Sequence, residues 1–165
     1  MTRQTRKITA EALRNLEPAK VKKLFDELGP IKTEELKHDW NFWARDNQLA
    51  PEDKDWNTWF INAGRGFGKT RSGVEWVREQ VKCGVKRIAA VASTNSDIER
   101  VMVKGESGFL SVCWKGDKTY AGKKMGFPEW SPTKRTLTWD NGAQVQFFSA
   151  EEPERLRGPQ FELAW

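Results

Sequence analysis

The chain has 165 residues, of which 28 are Lys or Arg and 23 are Asp or Glu, for a formal charge of +5. That length suits one domain's worth of core, and the mixed charge permits a nucleic-acid partner without requiring one. A mean hydropathy of −0.74 describes a soluble chain with no apolar run of membrane-spanning length, and the opening MTRQTRKITAEALRNL has no signal-peptide core.

Residues 1–50 are predicted helical. Over 17–28, Val21, Leu24, Phe25 and Leu28 recur at helical spacing, and Gly29-Pro30 stops the pattern. A second helix is expected over 33–45, with Leu36, Trp40 and Trp43 along one face. His38, between Lys37 and Asp39, reads as a solvated surface histidine. Asn47-Gln48-Leu49-Ala50-Pro51 breaks the periodicity, and 51–55 is a polar turn. From there, residues 51–165 take on a strand–loop–helix texture.

The apolar run Trp59-Phe60-Ile61 is expected to be a strand, and it leads into Asn62-Ala63-Gly64-Arg65-Gly66-Phe67-Gly68-Lys69-Thr70-Arg71. A loop that wraps an anion needs positive φ angles, inward N–H groups and no obstructing side chains, which glycine supplies. Phosphates then lie at the N-terminus of the next helix. A lysine there reaches the terminal phosphates, and the following hydroxyl ligates Mg²⁺. Ala63 to Thr70 therefore matches a phosphate-binding P-loop, with Ala63 in place of the first glycine. The loop and Arg71 beyond it form the expected nucleotide-contacting run, with Thr70 as the metal ligand. A relaxed match arises by chance in roughly 1% of chains this long, so context decides. Val74, Val77 and Val81 recur at helical spacing behind the loop, and Gly84 stands where a C-terminal cap belongs.

Beyond it, 86–92 (KRIAAVA) reads as a buried strand, and Ser96-Asp97-Ile98-Glu99 as a capping box opening a helix. Residues 105–132 have no clear pattern. Asp140-Asn141-Gly142 between 135–139 and 143–148 is a hairpin signal, and 161–165 begins another apolar strand. Cys83 and Cys113 are isolated, without metal-like spacing. The nine tryptophans against one tyrosine read mainly as packing groups. The fold expected is an α/β P-loop NTPase-type three-layer sandwich, incomplete at its C-terminal end, behind a small helical segment.

Four stretches together resemble the ATPase domain of tailed-phage terminase large subunits, the motors that package DNA into capsids. They are ARDNQLAP (44–51), NAGRGFGKTRSGVEWV (62–77), RIAAVASTNSDIERVMVKGESG (87–108) and LTWDNGAQVQFFSAEEPERLRGPQFELAW (137–165). Ser93 departs from the family, which often has proline there. The resemblance implies ATP and Mg²⁺ as cofactors, with Lys69 and Thr70 on phosphates and metal. It also implies Arg65 near the γ-phosphate, Gln48 as adenine reader, and Arg157 as an arginine acting in trans, with Arg155 as its competitor. Implied partners are double-stranded DNA, the terminase small subunit, the portal protein and other copies in a ring, in the host cytoplasm and with no membrane. The Asp-Glu pair that hydrolysis needs is expected just past Trp165, so the chain reads as an N-terminal piece of such a motor that lacks its catalytic carboxylates. Asp140, Glu151 and Glu152 do not follow an apolar strand in the required way. A helicase-like ATPase and a non-hydrolysing nucleotide-binding module are the alternatives.

Overall fold

The computed structural model describes residues 9–52 and 56–165, so the helix expected over 1–8 and part of the polar turn at 51–55 lie outside the described residues. The chain divides into two compact units between Phe60 and Ile61.

The first unit is helical: α1 (Ala10–Arg14), α2 (Pro18–Lys37), α3 (Trp40–Trp43) and a 3₁₀ turn (Asp46–Gln48). The expected stop at Gly29-Pro30 is a kink within α2. Gly29 leaves helical geometry with φ 75° and ψ 169°, and Pro30 opens the second half, where its missing N–H costs nothing. Thr33 donates its hydroxyl to the Gly29 carbonyl at 2.8 Å, which steadies the restart. The helix expected over 33–45 is split at His38-Asp39 instead. Asp39 caps α3, its carboxylate accepting from the Asn41 N–H at 3.0 Å, because a short acidic side chain competes with the backbone for N–H groups. Phe42 is the buried anchor of α3, edge-on to Trp43 at 4.9 Å.

The second unit is mixed α/β. Helix α4 (Lys69–Cys83) leads through Gly84, a left-handed C-cap with φ 104°, into β1 (Arg87–Ala92). A short helix α5 (Asn95–Asp97) runs directly into a π-helical stretch (Ile98–Val103), and α6 (Phe109–Val112) follows. The chain then adds β2 (Glu129–Ser131), β3 (Thr136–Thr138), β4 (Gln144–Ser149), a 3₁₀ turn (Pro153–Leu156) and β5 (Leu163–Ala164). The sheet order is β2-β3-β4-β1-β5. β1 runs parallel to both β4 and β5, whereas β2-β3 and β3-β4 are antiparallel. The Asn-Gly hairpin forms as expected, with Gly142 at φ 82° and its N–H donating to the Trp139 carbonyl at 2.9 Å.

Two expectations are corrected. The apolar run 59–61 adds no strand to the sheet, and Phe60 is 81% exposed. A three-residue run between Thr58 and Asn62 buries too little to hold a strand without a paired neighbour, and β1 already has strands on both sides. The capping box lies two residues earlier than expected. Thr94 is the N-cap, accepting from the Asp97 N–H at 3.1 Å, and its hydroxyl donates to the Asp97 carboxylate at 2.9 Å. The Thr94-to-Asp97 spacing satisfies the same capping geometry, and it takes the turn straight off the end of β1. Val74, Val77 and Val81 of α4 pack with Ile98, Val103 and Phe109 on the sheet face formed by Ile88, Ala90, Leu137, Val145 and Phe147. Each fully buried valine, leucine, isoleucine or phenylalanine of that set contributes about 1.5–3 kcal/mol of transfer free energy. The opposite face carries Gln144, Gln146 and Val91 beside the buried Ala89 and Phe148, the latter edge-on to Phe161 at 5.6 Å.

The last strand is tied to α4 by one close approach. Trp165 extends the β5 ladder, donating to the Ala89 carbonyl at 2.8 Å and accepting from the Val91 N–H at 2.7 Å. Its indole lies on Gly73, where a Cβ would stand 2.1 Å from the ring. Gly73→Ala should therefore cost about 1–3 kcal/mol by overpacking. The same change in a Trp165→Ala background should cost close to nothing. Urea unfolding of the four variants measures the difference, and equal costs in both backgrounds would show that the contact does not constrain position 73.

Candidate functional site

The position of the glycine-rich loop follows from connectivity. Three residues, 84–86, join the end of α4 to the start of β1. So short a link makes α4 run back along the sheet, and its N-terminus reaches the carboxyl end of β1. The Gly73–Trp165 contact, one turn into α4 and level with Ala89 and Val91, fixes the same placement. The loop thus stands where parallel α/β sheets put ligands, outside the carboxyl ends of their strands.

The loop itself is shaped by two glycines and a lysine. Gly66 and Gly68 take φ values of 78° and 95°, a region that side chains strain to enter. Gly68 is the N-cap of α4 and offers no side chain to the helix end, which leaves first-turn N–H groups open to an anion. Lys69 folds back over the loop, its ammonium donating to the Ala63 and Gly64 carbonyls at 2.7 and 2.8 Å. Those bonds use two of its three donors and hold the positive charge at the centre of the loop. Arg65 is exposed, while Phe67 and Thr70 are half-buried. The first turn of α4 holds no acid, although acids are the usual neutralisers of a helix N-terminus.

Arg71, the last residue of the expected run, opens a buried ionic chain that sequence reasoning missed. Its Nε and Nη2 donate to Glu75 Oε1 at 2.9 and 2.8 Å. Glu75 Oε2 accepts from Arg78 Nη1 at 2.9 Å. Arg78 then grips Asp117 with two parallel bonds, Nε to Oδ2 at 2.6 Å and Nη2 to Oδ1 at 2.5 Å. Lys82 approaches the same carboxylate at 3.4 Å, and the Trp114 N–H donates to it at 3.3 Å. The side chains of Glu75, Arg78 and Asp117 are only 2%, 2% and 3% exposed. Burial pulls the Arg78 pKa down, but the bonds from Asp117 and Glu75 outweigh it and hold the guanidinium above its ordinary value. Burial pushes Asp117 up, yet Arg78 and Lys82 win and keep its carboxyl below the usual range. Cys113 lies within the field of these groups, and burial pushes its thiol up to about 12, which keeps it neutral and inert. One signal was available: Glu75, Arg78 and Lys82 share a helical stripe beside Val74, Val77 and Val81. Asp117, 39 residues from Arg78, gave no local sign of pairing with it.

The other expected residues are placed as follows. Gln48 belongs to the first unit, is buried, and its side-chain oxygen accepts from the Arg45 N–H at 3.1 Å. It lines a cavity of about 460 Å³ with Leu13, Phe25, Phe42 and Arg45. Arg157 is 81% exposed and meets Glu154 at 2.8 Å, whereas Arg155 meets Glu152 at 2.5 Å. Of the acids, Asp140 lies 3.7 Å from Lys124, Glu151 accepts from the Ser149 hydroxyl at 3.1 Å, and Glu152 is shared by Arg135 and Arg155. Among the described residues, no three His, Cys, Asp or Glu side chains gather as a metal site, and no helix is long and apolar enough to cross a membrane. Comparison of the chain with protein-family models, curated proteins and solved structures finds no match.

The depressed Asp117 pKa carries a pH dependence with a definite sign. The carboxylate stays charged in the folded chain where the unfolded chain already binds a proton. Its contribution is therefore complete well above its ordinary value of 3.8 and is lost as pH falls through the lower folded value. Wild type should lose stability over that acid range, and Asp117→Asn should flatten the loss. At neutral pH the same variant should be less stable by about 3–5 kcal/mol, because Arg78 stays buried with one partner neutralised. Urea unfolding across a pH series checks both. Parallel curves for the two proteins would remove Asp117 from the acid transition.

Proposed function

We propose that the chain is the ATP-binding part of a viral DNA-packaging motor of the terminase large-subunit kind. The observation that carries the nucleotide reading is the Lys69-clamped loop, capped by Gly68 and held at the carboxyl end of a parallel strand. A triphosphate there meets open N–H groups, the Lys69 ammonium and a helix dipole of the right sign. Mg²⁺ would be held by Thr70 together with the nucleotide's own phosphates, in keeping with the hydroxyl's place directly after the lysine. Arg65, exposed on the loop, reaches toward the γ-phosphate. Gln48 reads adenine in this proposal, as the resemblance of the 44–51 block implies. The three-layer P-loop sandwich, double-stranded DNA, the small subunit, the portal, a homo-oligomeric ring and the host cytoplasm belong to the same proposal and rest on the motif blocks at 44–51, 62–77, 87–108 and 137–165.

A second reading, nucleotide binding without turnover, is favoured by the acids past the end of β4. Glu151 and Glu152 are engaged by Ser149 and by two arginines, so neither is poised to orient a water.

If the loop binds nucleotide, Mg²⁺-ATP at a hundredfold excess over its Kd should stabilise the chain by about 2.7 kcal/mol. Lys69→Ala should abolish the shift while leaving the unliganded melting temperature within a few degrees. A folded wild type whose melting is unmoved by millimolar Mg²⁺-ATP excludes nucleotide binding at this site.

Arg157 is the more accessible of the two candidate arginines, beside Gly158 at φ 107°, and suits delivery to a neighbouring subunit's nucleotide. In an assembled ring, Arg157→Ala should lower turnover by about 10³-fold or more while sparing Mg²⁺-ATP affinity. Phosphate release at the wild-type rate would reduce Arg157 to a surface partner of Glu154.

A further inference from the structure

We propose that the short hairpin over 115–124 is a contact surface for the phosphate backbone of duplex DNA, with Lys118 and Lys123 at its centre and Lys115 and Lys124 beside them. The hairpin lies between the blocks that resemble packaging motors, so the resemblance assigns it nothing. The choice of DNA as the polyanion rests on the DNA-translocating reading above; the charge pattern stands apart from it.

The hairpin separates its charges by burial. Residues 115–124 hold four lysines and a single acid, Asp117. That acid faces inward, and its carboxylate is taken by Arg78, Lys82 and the Trp114 N–H. Lys115, Lys118, Lys123 and Lys124 are all exposed. Lys124 comes within 3.7 Å of Asp140, whereas the other three form no ion pair among the described residues. The pairing register adds a conflict. Lys118 and Lys124 are bridged antiparallel across the hairpin, which sets two like charges directly opposite one another, an arrangement that destabilises a strand pair. Asp140 offsets part of that repulsion at Lys124 only. A loop that had merely to close could do so with any polar pair, so the repulsion marks a local rule broken for function. A row of phosphates laid along the hairpin turns it into attraction.

The backbone that carries these lysines is tied at its turn, its base and its tip. The Thr119 N–H donates to the Lys123 carbonyl at 2.8 Å, the Gly122 N–H to the Thr119 carbonyl at 2.8 Å, and the Lys123 N–H to the Thr119 hydroxyl at 3.1 Å. Gly122 makes the turn at φ 78°. At the base, the Met125 N–H donates to the Asp117 carbonyl at 2.9 Å, and the Met125 side chain is buried in the core. Tyr120 fastens the tip along α4, with its N–H on the Lys82 carbonyl at 3.1 Å and its hydroxyl on Glu79. The buried Arg78–Asp117 pair thus anchors a hairpin whose outward charges are all positive, and binding has only lysine side chains to order. Lysines act as point charges, which suits contact with phosphates at any sequence rather than the reading of bases. Lys82 lies thirteen residues beyond Lys69 in α4, so the hairpin tip stands about 20 Å along the helix from the phosphate loop. DNA on the hairpin leaves the nucleotide position clear.

The test titrates the full chain into a labelled mixed-sequence duplex and follows fluorescence anisotropy between about 50 and 200 mM salt, with melting temperatures recorded alongside. The triple variant Lys115→Gln, Lys118→Gln, Lys123→Gln should bind about tenfold more weakly, or worse, at the low-salt end. Its slope of log affinity against log salt should be shallower by about 2.7, because each phosphate contact contributes about 0.9. Its melting temperature should hold or rise, since the repulsion between Lys118 and Lys124 is relieved. Arginine at the same three positions keeps the charge and should keep affinity within about threefold. The matched control Lys20→Gln, Lys22→Gln, Lys23→Gln removes equal charge from exposed positions of α2 and should leave the slope within about 0.5 of wild type. A control that loses as much as the hairpin variant makes net charge the cause and overturns the proposal. A hairpin variant matching wild type in affinity and slope overturns it too, and in both cases the chain still binds DNA and the DNA-translocating reading stands. Should the triple variant not fold, Lys118→Gln alone decides: its slope must be shallower by about 0.9, and an unchanged slope overturns the proposal. A folded wild type with no salt-dependent affinity for the duplex overturns the DNA partner of that reading together with the hairpin. Tighter binding to vesicles of phosphatidylserine and phosphatidylcholine than to the duplex, lost in the same variant, overturns DNA as the occupant.

Discussion

A guanidinium taken out of water must find anionic acceptors for its N–H groups, and the rest of the second unit is arranged around that requirement at Arg78. Removing one partner of such a buried pair costs about 3–5 kcal/mol, a large share of the stability of a small domain. Glu75 is supplied by the same helix, one turn earlier. Asp117 has to come from elsewhere, so the segment after α6 is drawn onto α4 and held there. Once that segment is fixed, one face of α4 is committed to ions and the neighbouring valine face to the sheet. The helix can then sit in only one rotation.

That rotation determines what the loop presents. Val74, Val77 and Val81 point α4 at β1 and β4, Gly73 makes room for Trp165, and the N-terminal turn is left at the carboxyl ends of the parallel strands. The loop therefore stands on α4 and the parallel strands, although its own residues are largely exposed. Lys69 adds an internal brace by bonding two loop carbonyls. Bonds of that kind hold the loop in shape from within the chain itself.

Much of this was legible in the sequence where the deciding forces are local. The glycines and lysine of the loop, the valine stripe with its Gly84 cap, the 87–92 strand and the Asn-Gly turn each carry their own geometry. What escaped was set by distant partners. The run 59–61 has strand-forming residues but takes no place in the sheet, and periodicity does not report pairing. Thr94 outcompeted Ser96 as the helix cap because β1 ends two residues earlier, a boundary the sequence leaves loose. The segment 105–132 follows no period because its path is dictated by Arg78 and Tyr120 contacts along α4. The candidate site divides the same way: Lys69, Gly66 and Gly68 announce themselves, whereas Glu75, Arg78 and Asp117 resemble ordinary surface charges until the fold buries them.

The sheet ends at β5, a strand bonded to β1 on one side only. Its other rim is a row of main-chain donors and acceptors alternating with the side chains of Phe161, Leu163 and Trp165, without the proline, lysine or bulge that usually blunts such a border. A border of that kind is a template: any extended peptide laid alongside would continue the ladder and shield apolar surface at once. Among the described residues, that border is where the sheet can be lengthened, by a productive strand or by a wrong one when the protein is crowded.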